Sequence, residues 1–472
     1  MLVKKRNFSE KTVNTTVLYS NSTLPMNIKK ISVVVCIYCF LSNNLLFAGL
    51  FSSKPVVVPI KETECQKEEF ENFKDLLKDK SKDLSEDFFV ITVTREGKDS
   101  LSQAEIQFYQ LLLKLLLGNK KIDYTDEMNG VVHNIKNESQ QSNKDVLEKR
   151  FRHIFDQMHL FVTSPSDPFS DTKNSQTSQS PANMADAFCI EKNQELTSNE
   201  IVKILKNSCG LVAFSEYFFS GKKPLDHSDA ERYSKDFSAI NKHYLFACNF
   251  LTSSNCLPDS KEIEDNIVIF NREIDKNKEI VQLMNKREYQ EASKKLNEVL
   301  VTTEITEHLD QTVSRTCMEN KTFYALDGKI VSTYNKSSYA DENDAFLRNN
   351  KAFYKFGDRK DHAKEGYEAI EKNISTEICL DIGARKDNGA VNIHLIQSNV
   401  LYEKNVSAEK MPPAWCYVLC DADTARRLSN NKGRPYVCTK SFDVFHKKEP
   451  ICSFLIKAKH KIAIDIYKIE RD

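Results

Sequence analysis

Residues 31–53, ISVVVCIYCFLSNNLLFAGLFSS, carry no charge and follow Lys29 and Lys30. A run of this kind cannot cover a water-exposed surface. It stands apart from the folded body and sets the compartment in which the rest of the chain folds. The basic start, the apolar centre and the small residues Ala48, Gly49, Ser52 and Ser53 have the layout of a secretory signal. Two readings follow. A chain begun at Met26 would carry an ordinary cleaved signal. Alternatively the run spans a bilayer as a signal-anchor, with Lys4, Lys5, Arg6, Lys11, Lys29 and Lys30 kept in the cytoplasm. Ser42, Asn43 and Asn44 interrupt the run and weigh against a stable anchor. Both readings place residues 54–472 outside the cytosol, and the C-terminal KIAIDIYKIERD offers no removable tail for a lipid anchor.

An oxidising compartment changes how cysteines are read. Eleven of them follow the signal: Cys65, Cys189, Cys209, Cys248, Cys256, Cys317, Cys379, Cys416, Cys420, Cys438 and Cys452. The expectation is a disulfide framework drawing on Cys248, Cys256, Cys379, Cys416, Cys420, Cys438 and Cys452, with Cys65 as the odd thiol. Cys248 and Cys256 close a short loop. Cys416 and Cys420 invite a zinc reading, but WCYVLC has the composition of a strand, and strand residues four apart lie roughly 13 Å from each other. Structural disulfides are therefore preferred to zinc, and no cofactor is expected. Asn137, Asn320, Asn335, Asn373 and Asn405 each begin an Asn-X-Ser/Thr triplet, a glycosylation acceptor in a secreted chain.

Patterning divides the chain into 1–53, a mainly helical 54–162, a polar linker at 163–185, a helical 186–316 and a β-rich, cysteine-containing 317–472. The class expected is α+β: a helical N-terminal region followed by an antiparallel β-rich domain stapled by disulfides. Phe70, Phe73, Leu76 and Leu77 recur at helical spacing, and FFVITVTR at 88–95 reads as a strand closed by a turn at Gly97. Ser102 and Glu105 form a capping box opening a buried helix that runs to Leu117, with Gly118 as its stop. Residues 145–162 form another helix. Thr197 and Glu200 cap one that ends at Gly210. Residues 228–251 and 262–300 also read as helical, as do 341–355 and 361–373. Asp327-Gly328 marks a hairpin. EICLDIG, AVNIHLIQ, AWCYVLC, RPYVCTKSFDVF and ICSFLIKAKHKIAIDIYKI follow as strands.

Residues 54–472 hold 61 Lys/Arg against 66 Asp/Glu, whereas 410–472 hold 13 against seven. The basic end suggests a contact surface of Lys457, Lys459 and Lys461 on one strand face, joined by Arg426 and Arg427. Its partner would be an acidic protein surface or a polyanionic glycan. The same lysines could instead guard an edge strand. No nucleic-acid partner is expected, and membrane contact arises only if 31–53 is retained. No HExxH, G-x-S-x-G, Walker loop or G-x-G-x-x-G occurs, and His394 sits alone in a strand. The function expected is a secreted, disulfide-stabilised binding or structural protein without catalysis. The alternatives are a secreted hydrolase with a non-local site and a membrane-anchored surface protein.

Overall fold

A computed structural model describes residues 64–78, 84–97, 99–118, 124–138, 144–163, 189–192, 196–256, 282, 315–338, 352–383, 391–399, 414–422, 437–441 and 444–469. The signal-like run, residues 164–185, nearly all of 262–300 and the candidate helix over 341–351 lie outside them, as do Arg426, Arg427 and Asn405. The elements in chain order are α1 (Glu64–Leu77), β1 (Phe88–Glu96), α2 (Gln103–Leu117), α3 (Tyr124–Asn137), α4 (Lys144–Thr163), β2 (Cys189–Lys192), α5 (Ser198–Lys206), β3 (Cys209–Phe214), β4 (Leu225–Asp226), α6 (His227–Ser238) and β5 (Tyr244–Cys256). They continue as β6 (Arg315–Leu326), β7 (Lys329–Asn335), β8 (Phe353–Tyr354), β9 (Asp361–Ala363), α7 (Glu368–Asn373), β10 (Ile374–Ile378), a 3-10 turn (Cys379–Asp381), β11 (Val391–Ser398), β12 (Ala414–Asp421), β13 (Val437–Ser441), β14 (Val444–Lys448), β15 (Cys452–Lys457) and β16 (Lys461–Ile469).

The strands make two sheets. The larger runs β2-β15-β16-β1-β3-β5-β6-β7-β9, with β4 beside β5 and β8 beside β6. The smaller runs β10-β11-β12-β13-β14. Both are mixed. β1, β3 and β5 are parallel to each other, as are β10, β11 and β12. The class is α+β, but the expected antiparallel C-terminal domain is corrected to mixed sheets. β10, β11 and β12 are buried at nearly every position, the polar Asn392, His394 and Gln397 included, because both faces of their sheet are covered, as parallel sheets require. Of EICLDIG only Glu377 and Ile378 are strand, and Cys379–Asp381 form the 3-10 turn.

Alternation along each strand of the large sheet separates two cores. Phe89, Ile91 and Val93 of β1, Val212 and Phe214 of β3, and Phe246 and Phe250 of β5 pack against Phe108, Leu112, Phe151, Ile201 and Phe237 of the helices. Phe88 and Val90, Leu211 and Ala213, and Leu245 and Ala247 face Ile374, Ile393, Leu395, Cys416, Val418 and Cys420 of the small sheet. The order is helices α2 to α6, large sheet, small sheet, with α1 and α7 packed in on the small-sheet side. α2 keeps its capping box and its stop at Gly118. α5 keeps its Thr197–Glu200 box but ends at Asn207. Gly210 instead lies inside β3, where an added Cβ would come within 2.1 Å of the Phe89 carbonyl. The expected helix at 228–251 stops at Ser238. FACNFL becomes β5, since sheet neighbours on both sides satisfy its backbone and outweigh the helical spacing. The turn at Asp327 (φ 48°) and Gly328 (φ 71°) joins β6 to β7 as expected.

The disulfide framework is corrected. Among the described residues one bridge forms, Cys256–Cys317, with Cα atoms 5.9 Å apart across the β5–β6 ladder. Cys248 therefore does not bond Cys256. Cys248 and Cys452 pack on the helical side of the large sheet, and Cys416 and Cys420 in the layer between the sheets. Their thiols fill core volume in place of stapling neighbours, and Cys379 is likewise not disulfide-bonded. Cys438 is paired with Tyr417 in the β12–β13 register. Of the sequons, Asn320 and Asn373 have buried amides engaged in internal hydrogen bonds.

The C-terminal basic run is not one strand. It folds as a hairpin, β15–β16, with Ala458–His460 at the turn. Nor is it an edge: β16 lies between β15 and β1, and β15 also pairs β2. Lys461 reaches Glu96 at 3.1 Å and Lys459 reaches Glu105 at 3.7 Å. His460 packs against Gly97 (φ +140°), beside Arg95, Asp99, Glu105 and Lys459. Burial, then the charges of Arg95 and Lys459, lower its pKa from 6.5 to about 4. Between those values the unfolded chain takes up a proton that the folded chain refuses, so stability falls as pH drops through that window. Thermal unfolding against pH should show this loss, and His460→Phe should flatten it. An unchanged slope in the variant would exclude the imidazole as its source.

Two ladders bind the expected boundary at 316/317. β6 pairs β5 from Phe246↔Ala325 to Cys256↔Arg315, and β16 pairs β1 over its whole length. An excised 317–472 would leave both ladders open. It should show no cooperative thermal transition by circular dichroism; a sharp transition in that fragment would show that it folds alone.

Candidate functional site

Three polar residues stand at the ends of apolar strands. Glu216 follows β3, LVAF-Ser215-Glu216. Lys336 follows β7, STYN-Lys336. Cys379 follows β10, ISTEI-Cys379, and begins the 3-10 turn. Parallel strands bring their C-terminal ends to one side of a sheet, and such ends are where α/β-type sheets present side chains to ligands. β3 and β7 both run parallel to β5, so Glu216 and Lys336 leave the large sheet on the same side.

Lys336 Nζ lies 2.7 Å from Glu216 Oε1, with side chains 1% and 0% exposed. The carboxylate is held further by Asn320, whose Nδ2 donates to Oε1 at 2.8 Å, and by the Asn399 backbone N–H, which donates to Oε2 at 3.0 Å. Asn399 follows β11, so the carboxylate is gripped from both sheets. Burial opposes the Lys336 charge, but Glu216, then Cys379 and Tyr354, outweigh it and raise the lysine above its ordinary range. Electrostatic coupling is mutual: an ammonium steadied by a thiolate at Cys379 steadies that thiolate in return.

The turn that carries Cys379 is fixed in shape. Cys379 has φ 48°, left-handed for a residue with a Cβ, and Tyr217, next to Glu216, has φ 59°. Such conformations cost about 1–3 kcal/mol and persist where the surroundings enforce them. Asp381 supplies part of that enforcement. Its Oδ2 accepts from Tyr334 Oη at 2.7 Å and from Ser337 N at 3.0 Å, and its Oδ1 accepts from Ser337 Oγ at 2.9 Å. One carboxylate thus ties the cysteine turn to the residues on either side of Asn335-Lys336. On the far side, Glu377 accepts from Gly383 N at 3.2 Å and contacts His394 Nε2 at 3.0 Å, while Ser375 meets His394 Nδ1 at 2.7 Å. His394 is a satisfied core residue.

Exposure separates Cys379 from the other thiols. Cys209, Cys248, Cys416, Cys420 and Cys452 are buried, and Cys379 alone among the described non-bridged cysteines is half-buried. Burial pushes the Cys209 thiol up to about 11 and raises Cys248 and Cys420 further, so these sulfurs stay protonated and inert. Next to Cys379, Leu380 is 60% exposed. Burial keeps the Tyr354 phenol protonated against the pull of Lys336, with help from the charges of Asp381, Glu216 and Glu319. Among the described residues no three His, Cys, Asp or Glu side chains are arranged to hold a metal.

The sequence-derived sites fare unevenly. Lys457 and Lys461 face each other across the β15–β16 hairpin, and Lys459 sits in its turn. Glu216 and Lys336 carried no recognised motif. Cys379 was expected in a disulfide. The signal that could have found them is weak: an ionisable or nucleophilic residue one or two positions after the end of a buried strand, repeated three times.

No protein-family model matches this chain, and no curated protein matches it in sequence. Among solved structures it is similar to an amidase from Nesterenkonia sp. and to a mutant of the Nesterenkonia AN1 amidase from the nitrilase superfamily. Each shows 8% identity and a TM-score of 0.26 over 54% of this chain, covering 76% and 77% of theirs. At that score the likeness fixes neither fold nor activity. The expectation of a disulfide-stapled binding or structural protein without catalysis is nevertheless corrected. The expected staples are core thiols, and the described residues hold a Cys-Lys-Glu cluster of the kind that expectation excluded.

Iodoacetamide added to native protein should modify Cys379 before any other described thiol, as read by peptide mass spectrometry. Faster labelling of Cys209, Cys248, Cys416, Cys420 or Cys452 would contradict this exposure pattern.

Proposed function

We propose that this protein is a cysteine-nucleophile hydrolase acting on amide-type C–N bonds, with Cys379 as nucleophile, Lys336 as the stabilising cation and Glu216 as the acid–base group. One observation carries the reading: the single half-buried thiol described lies on a left-handed strand-to-turn elbow, within electrostatic reach of the lysine of a buried lysine–glutamate pair. The elbow presents the sulfur beyond the strand, where a substrate carbonyl can reach it. Lys336 supplies positive charge both for the thiolate and for the oxyanion that forms on attack.

The chemistry balances with water alone. Cys379 sulfur bonds to the carbonyl carbon while Glu216 takes the thiol proton. The C–N bond breaks as that proton passes to the nitrogen, and the amine leaves. Water then attacks the thioester, Glu216 receives its proton, and the C–S bond breaks to release the carboxylic acid and restore the thiol. A nitrogen leaving group departs readily only when protonated. A proton-carrying Glu–Lys pair at the nucleophile therefore suits an amide better than an ester, whose alkoxide needs less help.

The test is release of ammonia or amine from a panel of simple aliphatic and aromatic amides. Cys379→Ala should abolish turnover, a loss of at least about 10³-fold, with its thermal midpoint within a few degrees of the parent's, whereas Lys336→Met should lose about 10²-fold or more and also lower the midpoint, because it strands the buried Glu216 charge. Amide hydrolysis that survives Cys379→Ala would end the proposal.

A further inference from the structure

Glu216 is held by a closed ring of hydrogen bonds that starts on its own backbone neighbour and ends on its own carboxylate. The Tyr217 N–H donates to Asn249 Oδ1 at 2.9 Å. Asn249 Nδ2 donates to Asn320 Oδ1 at 2.9 Å and to Thr322 Oγ1 at 3.2 Å. Asn320 Nδ2 donates to Glu216 Oε1 at 2.8 Å. Thr322 Oγ1 in turn donates to Gln397 Oε1. Gln397 Nε2 donates to the carbonyls of Phe214, at the end of β3, at 2.7 Å and of Ala247, within β5, at 3.1 Å. Asn249, Asn320, Thr322 and Gln397 are all 0% exposed.

The direction of every bond is fixed by chemistry at the ends. A backbone N–H can only donate, so Asn249 must turn its oxygen to Tyr217 and its amide nitrogen to Asn320. Asn320 must then present oxygen to Asn249 and nitrogen to Glu216. A carboxylate can only accept, and the two requirements agree. Main-chain carbonyls can only accept, so Gln397 is fixed from the opposite side.

We infer that Asn249, which touches neither the ion pair nor the thiol, is a positioning residue: it sets the amide orientation of Asn320, and through it the charge and rotamer of Glu216. This inference rests on the hydrolase reading above. It explains why the left-handed Tyr217 stays in place, since the bond that fixes that turn is the first member of the ring. It also explains why a buried amide stands at a position where an apolar side chain would pack between β5 and β6 without desolvation cost.

The experiment needs no substrate. The rate of Cys379 alkylation by iodoacetamide is measured against pH for the full chain and for Asn320→Ala, Asn249→Ala and the double variant, each with its thermal midpoint. Without Asn320 the Glu216 Oε1 loses one donor and leans more heavily on Lys336, and less of the lysine charge serves the thiolate. The inflection of the profile should move up by about one pH unit in Asn320→Ala, with alkylation near neutrality about tenfold slower. Asn249→Ala should give most of that shift, and adding it to Asn320→Ala should move the inflection no further. An Asn249→Ala profile that matches the parent's, or one whose shift adds to that of Asn320→Ala, overturns the inference. If Asn249→Ala does not fold, Asn249→Ser replaces it, its hydroxyl being too short to reach Asn320. A Cys379 in the parent protein that reacts no faster than a simple exposed thiol would overturn the hydrolase reading itself, an outcome separate from any difference between variants.

Discussion

An ammonium and a carboxylate taken out of water stay charged only if both are answered in full. That demand on Lys336 and Glu216, 1% and 0% exposed, organises the molecule. The lysine needs the carboxylate at 2.7 Å, and the carboxylate needs donors from β6 and from the residue after β11. Ends of strands far apart in sequence must therefore converge on one point, and they come from both sheets. Breaking such a pair by removing one member typically costs about 3–5 kcal/mol, because the other charge is left stranded. A buried pair adds little to stability beyond what well-packed apolar residues would give.

Local features were legible in the sequence because local physics decides them. The capping boxes at Ser102–Glu105 and Thr197–Glu200, the all-round apolar α2 and the Asp327-Gly328 turn depend on residues three or four apart, and all four stand. Pairing partners were not legible. Nothing in FFVITVTRE says that it will lie between a parallel neighbour at 209–214 and an antiparallel one at 461–469. The helical spacing across Tyr244 and Leu245 was real, but sheet pairing on both sides overrode it.

The cluster of functional groups failed to show for a related reason. Each member is a single residue after a strand, and its partners lie 43 to 163 positions away. The prior set by the signal-like run also pulled the cysteines toward bridges. The structure divides them by surroundings instead: Cys416 and Cys420 fill the gap between sheets, while Cys379 sits on an elbow with an exposed leucine beside it. Asn320 makes the same point. As Asn-Lys-Thr it reads as a glycan acceptor, and in the fold it is a donor to a buried carboxylate.

The Cys256–Cys317 bridge closes the base of everything between β5 and β6, with sequence separation 61 and Cα atoms 5.9 Å apart. The paired strands beside it already bring those two positions together. Closing a loop of that size withdraws about 4 kcal/mol of chain entropy from the unfolded state, and each doubling of its length would change the closure cost by only about 0.6 kcal/mol. The bridge thus holds Cys256 and Cys317 together at a cost that depends only weakly on how much chain joins them, and the β5–β6 ladder keeps its register at that end on the strength of its own pairing and one covalent bond.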